Sequence, residues 1–141
     1  MKINLVTVDQ DLMAVGFRKV ASYTRKLYRD VGIYYISLSS SRSIHTILMS
    51  KYGEACSGWN KHIHDIAAPI ADADIIAFSS MTPFADLTLR LLNEVKKVNS
   101  KSYVIWGGIH PIISPESAIH HADAICTGEG ELAFGEFLSL F

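Results

Sequence analysis

The sequence predicts an α/β fold, a five-stranded parallel sheet doubly wound with helices on both faces, and three observations predict it. Short β-rich apolar runs alternate with longer segments of helical period along the 141 residues. The run Asp74-Ile75-Ile76-Ala77-Phe78-Ser79 is nearly continuously apolar, as a parallel strand covered on both faces should be. Small or glycine-rich residues follow several of the strand runs, at the edge where sheets of this kind bind ligands.

Ile3 to Val8 reads as the first strand. From Leu12 to Arg29 the apolar positions Val15, Val20, Tyr23 and Leu27 recur at mixed helical spacings with Arg18, Lys19, Arg25 and Lys26 between them, the mark of an amphipathic helix. Gly32 is expected to end that helix, and Ile33 to Leu38 to form the second strand before the polar Ser39-Ser40-Ser41-Arg42 loop. A helix follows over about Ser43 to Tyr52. Gly53, Gly58 and Asn60 break any period before a short apolar stretch from Ile63 to Ile70. Asp74 to Ser79 is the third strand. Pro83 sits near a helix start, with Leu87, Leu91, Leu92 and Val95 on the inner face. Tyr103 to Trp106 is the fourth strand, Pro115 opens a short helix to about His121, Ala124 to Cys126 is the fifth strand, and Glu131 to Leu140 has the composition of a final helix.

The composition, 49% apolar, suits one packed domain over residues 1–141. Charged residues make up 19%, below the roughly 25% of typical soluble domains, which suggests a surface partly covered by another domain. The net charge of −1 gives no bias toward nucleic acid, whose phosphates need a clustered cationic face. No stretch has the length of a membrane span or a signal peptide, so a cytoplasmic location is expected. Cys56 and Cys126 lack the close spacing of a redox or zinc motif.

The strand ends are where chemistry is expected. They read Val8-Asp9-Gln10-Asp11, Ser79-Ser80-Met81-Thr82-Pro83, Trp106-Gly107-Gly108-Ile109-His110-Pro111 and Thr127-Gly128-Glu129-Gly130-Glu131. Glycines there remove the Cβ atoms that would hold a flat ligand or a phosphate away from the backbone, although such pairs also serve simply to turn a chain from strand to helix. Common functions of this fold meet obstacles at the same positions. A phosphoacceptor domain needs an aspartate ending the third strand, where this chain has Ser79-Ser80. A flavin phosphate loop after the first strand is incompatible with Asp9-Gln10-Asp11. Walker and G-x-G-x-x-G loops are absent.

Gly107-Gly108-Ile109-His110-Pro111, followed by Ser114-Pro115-Glu116 and by Asp123 to Glu131, resembles the cobalamin-binding domain that precedes the catalytic barrel of radical S-adenosylmethionine enzymes. The resemblance is close over the last third of the chain. It extends more loosely to Ser79-Ser80-Met81-Thr82-Pro83 and to the order of elements. It implies a flavodoxin-like, Rossmann-type sheet with the corrin across its carboxyl edge and the nucleotide tail beside the third and fourth strands. Ser79 and Met81 look like the Ser-x-Leu element of such domains, and Gly107-Gly108 like their Gly-Gly. The cofactor-binding residues it implies are Asp9, Leu12, Ser79, Ser80, Met81, Thr82, Gly107, Gly108, His110, Gly128, Glu129 and Gly130.

At the first strand the chain departs from the methionine synthase type, whose Asp-x-His-x-x-Gly supplies a histidine to cobalt. Here Asp9-Gln10-Asp11-Leu12-Met13-Ala14 has none, so the resemblance implies cobalt without a protein histidine ligand. The two cysteines cannot form the Cys-x-x-x-Cys-x-x-Cys cluster site. An iron–sulfur cluster, S-adenosylmethionine and the barrel itself are therefore expected beyond Phe141, where the chain stops without a polar tail. The parent is expected to be a methyltransferase or a related radical enzyme. A cofactor-free module that docks on the barrel is the alternative.

Several other residues have competing readings. His62 and His64 with Cys56 or His45 lack a fourth metal ligand in register and read as surface histidines. His120 and His121 suit a helix C-terminus, Glu129 and Glu131 the first turn of the last helix. His110 either contacts ligand or caps its loop, and Trp59 either covers a macrocycle or joins the core.

Overall fold

The computed structural model describes residues 1–9, 14–36 and 63–141. Five strands, β1 (Ile3–Thr7), β2 (Val31–Tyr35), β3 (Ile75–Ser79), β4 (Tyr103–Gly107) and β5 (Ala124–Ile125), pair in parallel in the order β2-β1-β3-β4-β5. The order reverses between β1 and β3, which makes their carboxyl ends the switch point of the sheet. The expected doubly wound fold is the one observed.

Side chains of successive strand residues point to opposite faces, and the core divides accordingly. Ile3 and Leu5 of β1, Ile75 of β3 and Ile105 of β4 pack under α1 (Val15–Leu27) and the last helix (Gly130–Leu140). Val6, Ile76, Phe78, Val104 and Trp106 face a helix over residues 63–71, a helix over Ala85–Val98 and a short one over Pro115–Ile119. Numbered in chain order these are α2 (63–71), α3 (Ala85–Val98), α4 (Ile109–Ile113), α5 (Pro115–Ile119) and α6 (Gly130–Leu140). Thr82–Phe84 forms a 3₁₀ turn ahead of α3, with Pro83 in the first turn, where its missing N–H costs nothing. No helix among the described residues is long and apolar enough to cross a membrane.

Two sequence expectations are corrected. On α1 the residues that face the sheet are Phe17, Ala21 and Thr24, whereas Val15, Tyr23 and Leu27 are exposed. The small Ala21 and Thr24 let the helix lie close to the strands, and Thr24 hides its hydroxyl on the Val20 carbonyl at 2.8 Å. Gly32 does not end the helix but lies inside β2, opposite Asn4. A Cβ there would stand 2.3 Å from Asn4 Oδ1. Asn4 itself is fully buried because its amide donates to the Ile70 carbonyl at 2.8 Å, answering one of the carbonyls left open at the end of α2. The strand expected over Ile33 to Leu38 is thus shifted toward the N-terminus. Leu38 and the helix expected over Ser43 to Tyr52 lie outside the described residues.

α3 follows expectation, with Leu91, Leu92 and Val95 fully buried. α4 was not foreseen, because Pro111 disguises a turn of helix that begins directly after Gly108.

Candidate functional site

The carboxyl ends of β1, β3 and β4 are stitched together by short polar side chains. Thr7 Oγ1 donates to the Ser79 carbonyl at 3.1 Å and accepts the Asp9 N–H at 3.1 Å. Asp9 Oδ1 in turn accepts the Met81 N–H at 2.9 Å. These bonds close the β1/β3 junction, the position where a doubly wound sheet would otherwise splay.

Ser80 closes the next junction. It is fully buried and makes three bonds: its N–H donates to the Gly107 carbonyl at 3.2 Å, its carbonyl accepts the His110 N–H at 3.1 Å, and its hydroxyl accepts Trp106 Nε1–H at 3.0 Å. The chain after β4 wraps so tightly around Ser80 that a Cβ on Gly108 would lie 2.7 Å from the Ser80 carbonyl oxygen and 2.8 Å from its nitrogen. Gly108 also has φ +94° and ψ −169°, a conformation open essentially to glycine alone. The Ser-Ser and Gly-Gly pairs, separate in sequence, are therefore one structural unit.

Between the sheet, α1 and α6 lies an open cleft of about 230 Å³. Its floor is the register row Leu5, Ala77 and Ile105. Its walls are Phe17 and Val20 from α1 and Phe134 from α6. Ser79, Gly107, Gly108, Cys126, Gly128 and Glu131 stand at the rim, with Ile109 and Ile112 of α4 beside them. A Cβ on Gly16 or Gly128 would meet nothing within 4 Å, so these lining glycines leave open space at the cleft. Ala77 is only half-buried although β3 is the central strand. The cleft therefore reaches down to the middle of the sheet.

A flat apolar group fits this geometry, with a larger one lying across the edge outside. The volume is below the ~300–1,000 Å³ typical of whole drug-sized ligands, so a large cofactor would place only part of itself inside. The match to known families decides what kind of cofactor. The family model described as the B12 binding domain matches residues 1–138.

This chain belongs to the B12-binding domain family.

Cobalamin is accordingly the ligand of this B12-binding domain. The glycine-lined rim and apolar cleft fit a macrocycle carrying a heteroaromatic tail. Among curated proteins, the domain is similar to bacteriochlorophyllide d C-8(2)-methyltransferase of Chlorobaculum tepidum, 32% identical over 72 residues, which are 51% of this chain and 16% of that protein. The chain thus matches only a small part of that relative. Among solved structures, it superposes on the fungal multi-domain GH3 beta-N-acetylglucosaminidase with its GCN5-related glucosamine N-acetyltransferase region. The TM-score is 0.55 at 11% identity, over 96% of this chain and 14% of that one, a likeness of fold alone.

Of the residues singled out in the sequence, Ser79, Gly107, Gly108, Gly128 and Gly130 line the cleft. Asp9, Ser80 and His110 are buried at the junctions instead. Met81 gives its N–H to Asp9, Thr82 opens the 3₁₀ turn, and Glu129 precedes α6 without a side-chain cap bond. Leu12 lies outside the described residues, as do His45, Cys56, Trp59 and His62. His110 packs its ring on Trp106, centroids 5.1 Å apart, on the side of the sheet away from the cleft, and among the described residues its Nδ1 has no hydrogen-bond partner. His64 pairs with Glu94 at 3.1 Å. Hydrogen bonds from Lys97 and then His64 hold the Glu94 carboxyl below its usual range. No group of three His, Cys, Asp or Glu that could hold a metal occurs among the described residues.

Sequence reasoning missed the floor and walls of the cleft. Ala77 carried a signal, as the one small residue in Ile75-Ile76-Ala77-Phe78. Phe17 and Phe134 carried none, being ordinary core residues by pattern.

Asp9 makes the site sensitive to pH. Burial raises its pKa above the ordinary 3.8, and the Met81 N–H opposes that rise. A raised folded-state pKa means that the native state binds more protons than the unfolded chain in the window above 3.8. The contribution of Asp9 to stability is therefore full below that value and is lost as pH rises through the folded pKa. Asp9→Asn keeps an acceptor for Met81 and removes the buried charge. Urea titrations between pH 3 and 7 are expected to show the variant at least as stable as wild type at pH 7, with a smaller loss of stability across the window. A variant less stable at pH 7 with an unchanged profile would count against this assignment.

Proposed function

We propose that this domain carries cobalamin for a radical S-adenosylmethionine methyltransferase or a related radical enzyme, with no protein histidine on cobalt. The observation that carries the reading is the cleft that opens from the glycine rim to Ala77. In this reading the corrin rests on the edge formed by Ser79, Gly107-Gly108 and Gly128-Glu129-Gly130, and the base of the nucleotide tail enters between Phe17 and Phe134. When bound, the cofactor supplies a cobalt centre for methyl transfer. The chain's own residues hold and orient it: Ser80 and Asp9 keep the strand ends together, and the missing Cβ atoms allow close approach. The chain has no histidine before His45, and Asp9-Gln10-Asp11 occupies the segment where other cobalamin domains place one. We place the protein in the cytoplasm and its three-cysteine catalytic barrel in a following domain of the same polypeptide. The methyltransferase relative supports the methyl-transfer part of the reading.

Purified protein mixed with hydroxocobalamin is expected to leave a gel-filtration column red. After reduction to cobalt(II), its electron paramagnetic resonance spectrum should lack the triplet splitting that an axial nitrogen imposes. A colourless protein peak would favour the cofactor-free docking module. Triplet splitting that becomes a doublet when the protein's histidines are labelled with nitrogen-15 would overturn the histidine-free mode; splitting unchanged by the label would come from the cofactor's own base.

A further inference from the structure

Granted the proposed seating of the tail, we propose that the cleft selects which cobamide is bound, favouring a benzimidazole-type base over a purine, and that Ala77 sets this selection. The argument starts from the register. Leu5, Ala77 and Ile105 are direct neighbours across β1, β3 and β4. Leu5 is 1% exposed and Ile105 5%, yet Ala77 between them is only half-buried. The depth of the cleft is thus the volume that a larger side chain at position 77 would occupy.

Polarity is graded along the same direction. The floor row and the walls Phe17 and Phe134 are hydrocarbon, and the backbone groups of the floor strands are committed to the sheet ladder. The polar groups, Ser79 Oγ, Cys126 Sγ and the Glu131 carboxyl, belong to the rim row or beyond it. A base seated on the floor therefore meets no hydrogen-bonding side chain among the described residues. The leading edge of a dimethylbenzimidazole is hydrocarbon and loses nothing there. The leading edge of adenine carries an amine and ring nitrogens that would give up water without a replacement, a penalty that apolar pockets express as roughly tenfold to a hundredfold in discrimination.

The test titrates the 141-residue protein with cobalamin, with the adenine-bearing cobamide and with cobinamide, which has no base. Cobalamin is expected to bind at least tenfold more tightly than the adenine cobamide. Ala77→Leu is expected to weaken cobalamin at least tenfold while changing cobinamide by less than about twofold, with Ala77→Val intermediate; circular dichroism checks that both variants fold. Equal affinity of wild type for the two cobamides, or Ala77→Leu binding cobalamin like wild type, overturns the selection while leaving the cobalamin reading intact. Failure of the folded wild type to bind any of the three corrinoids overturns the cobalamin reading itself and the selection with it.

Discussion

Gly108→Ala is expected to lower stability by about 2–4 kcal/mol, the sum of a backbone conformation that costs ~1–3 kcal/mol for any other residue and an overlap with Ser80 that must be relieved by movement. For a domain of this size the melting temperature should fall by roughly 10 °C. The overlap is severe because the atoms met, at 2.7 and 2.8 Å, are backbone atoms of a strand end, which cannot rotate away. Relief would require the β4 exit to lift off Ser80, breaking the His110 N–H bond to the Ser80 carbonyl and displacing the rim of the cleft. Cofactor binding should therefore fall with stability. Gly128→Ala provides the contrast: a Cβ there meets nothing within 4 Å, so stability should stay within ~0.5 kcal/mol of wild type. Thermal melts of the two variants decide the matter, and a Gly108→Ala protein as stable as wild type would refute the close approach.

The second large effect is at Trp106. Its indole is 1% exposed, forms part of the α3-side core, donates to Ser80 and supports the His110 ring. Trp106→Ala is expected to cost about 3–5 kcal/mol through lost burial and the cavity left behind. Trp106→Phe keeps most of the ring but removes the donor, leaving the buried Ser80 hydroxyl with one bond fewer, and should cost ~1–2 kcal/mol. Urea denaturation midpoints separate the two contributions. If the two variants lose the same amount, the hydrogen bond rather than the packing dominates; if Trp106→Ala loses less than ~1 kcal/mol, the indole is not part of the core that its burial implies. Because Trp106 lies on the face opposite the cleft, its loss should act on cofactor affinity only through the position of Ser80.

Both residues show how sequence and structure divide the explanation. The strands were legible because a parallel sheet covered on both faces demands continuous apolar runs, and Ile75 to Phe78 or Val104 to Trp106 cannot be mistaken for solvent-exposed segments. The inner face of α3 was legible for the same reason. The inner face of α1 was not, since the helix buries Ala21 and Thr24 beside Phe17 and leaves Val15, Tyr23 and Leu27 outside, an order that hydrophobicity alone does not give. Gly32 was misread because a glycine after a helix ordinarily ends it, whereas here it yields space to Asn4 from a neighbouring strand.

The site divides in a similar way. Its rim was legible in Gly107-Gly108 and Gly128-Glu129-Gly130, since two glycine-rich turns at neighbouring strand ends fall on the edge where sheets of this kind bind ligands. The roles within it were not. Asp9, Ser80 and His110 are polar residues at strand ends that turn inward to hold the edge together, and nothing in their spacing separates that task from ligand contact.

What the sequence by itself determined is the alternation of strand and helix, the glycine-rich carboxyl edge of the sheet and, through the run of motifs from Gly107 to Glu131, the B12-binding family. Periodicity and backbone permissiveness are local properties, and they can be read from local residues. Only the tertiary structure decided that Ser80 and Gly108 are a single contact and that Ala77 marks the bottom of a cleft walled by Phe17 and Phe134. Those facts depend on which strands become neighbours and in what register, and contacts between segments far apart in the chain leave no periodic trace in either segment alone.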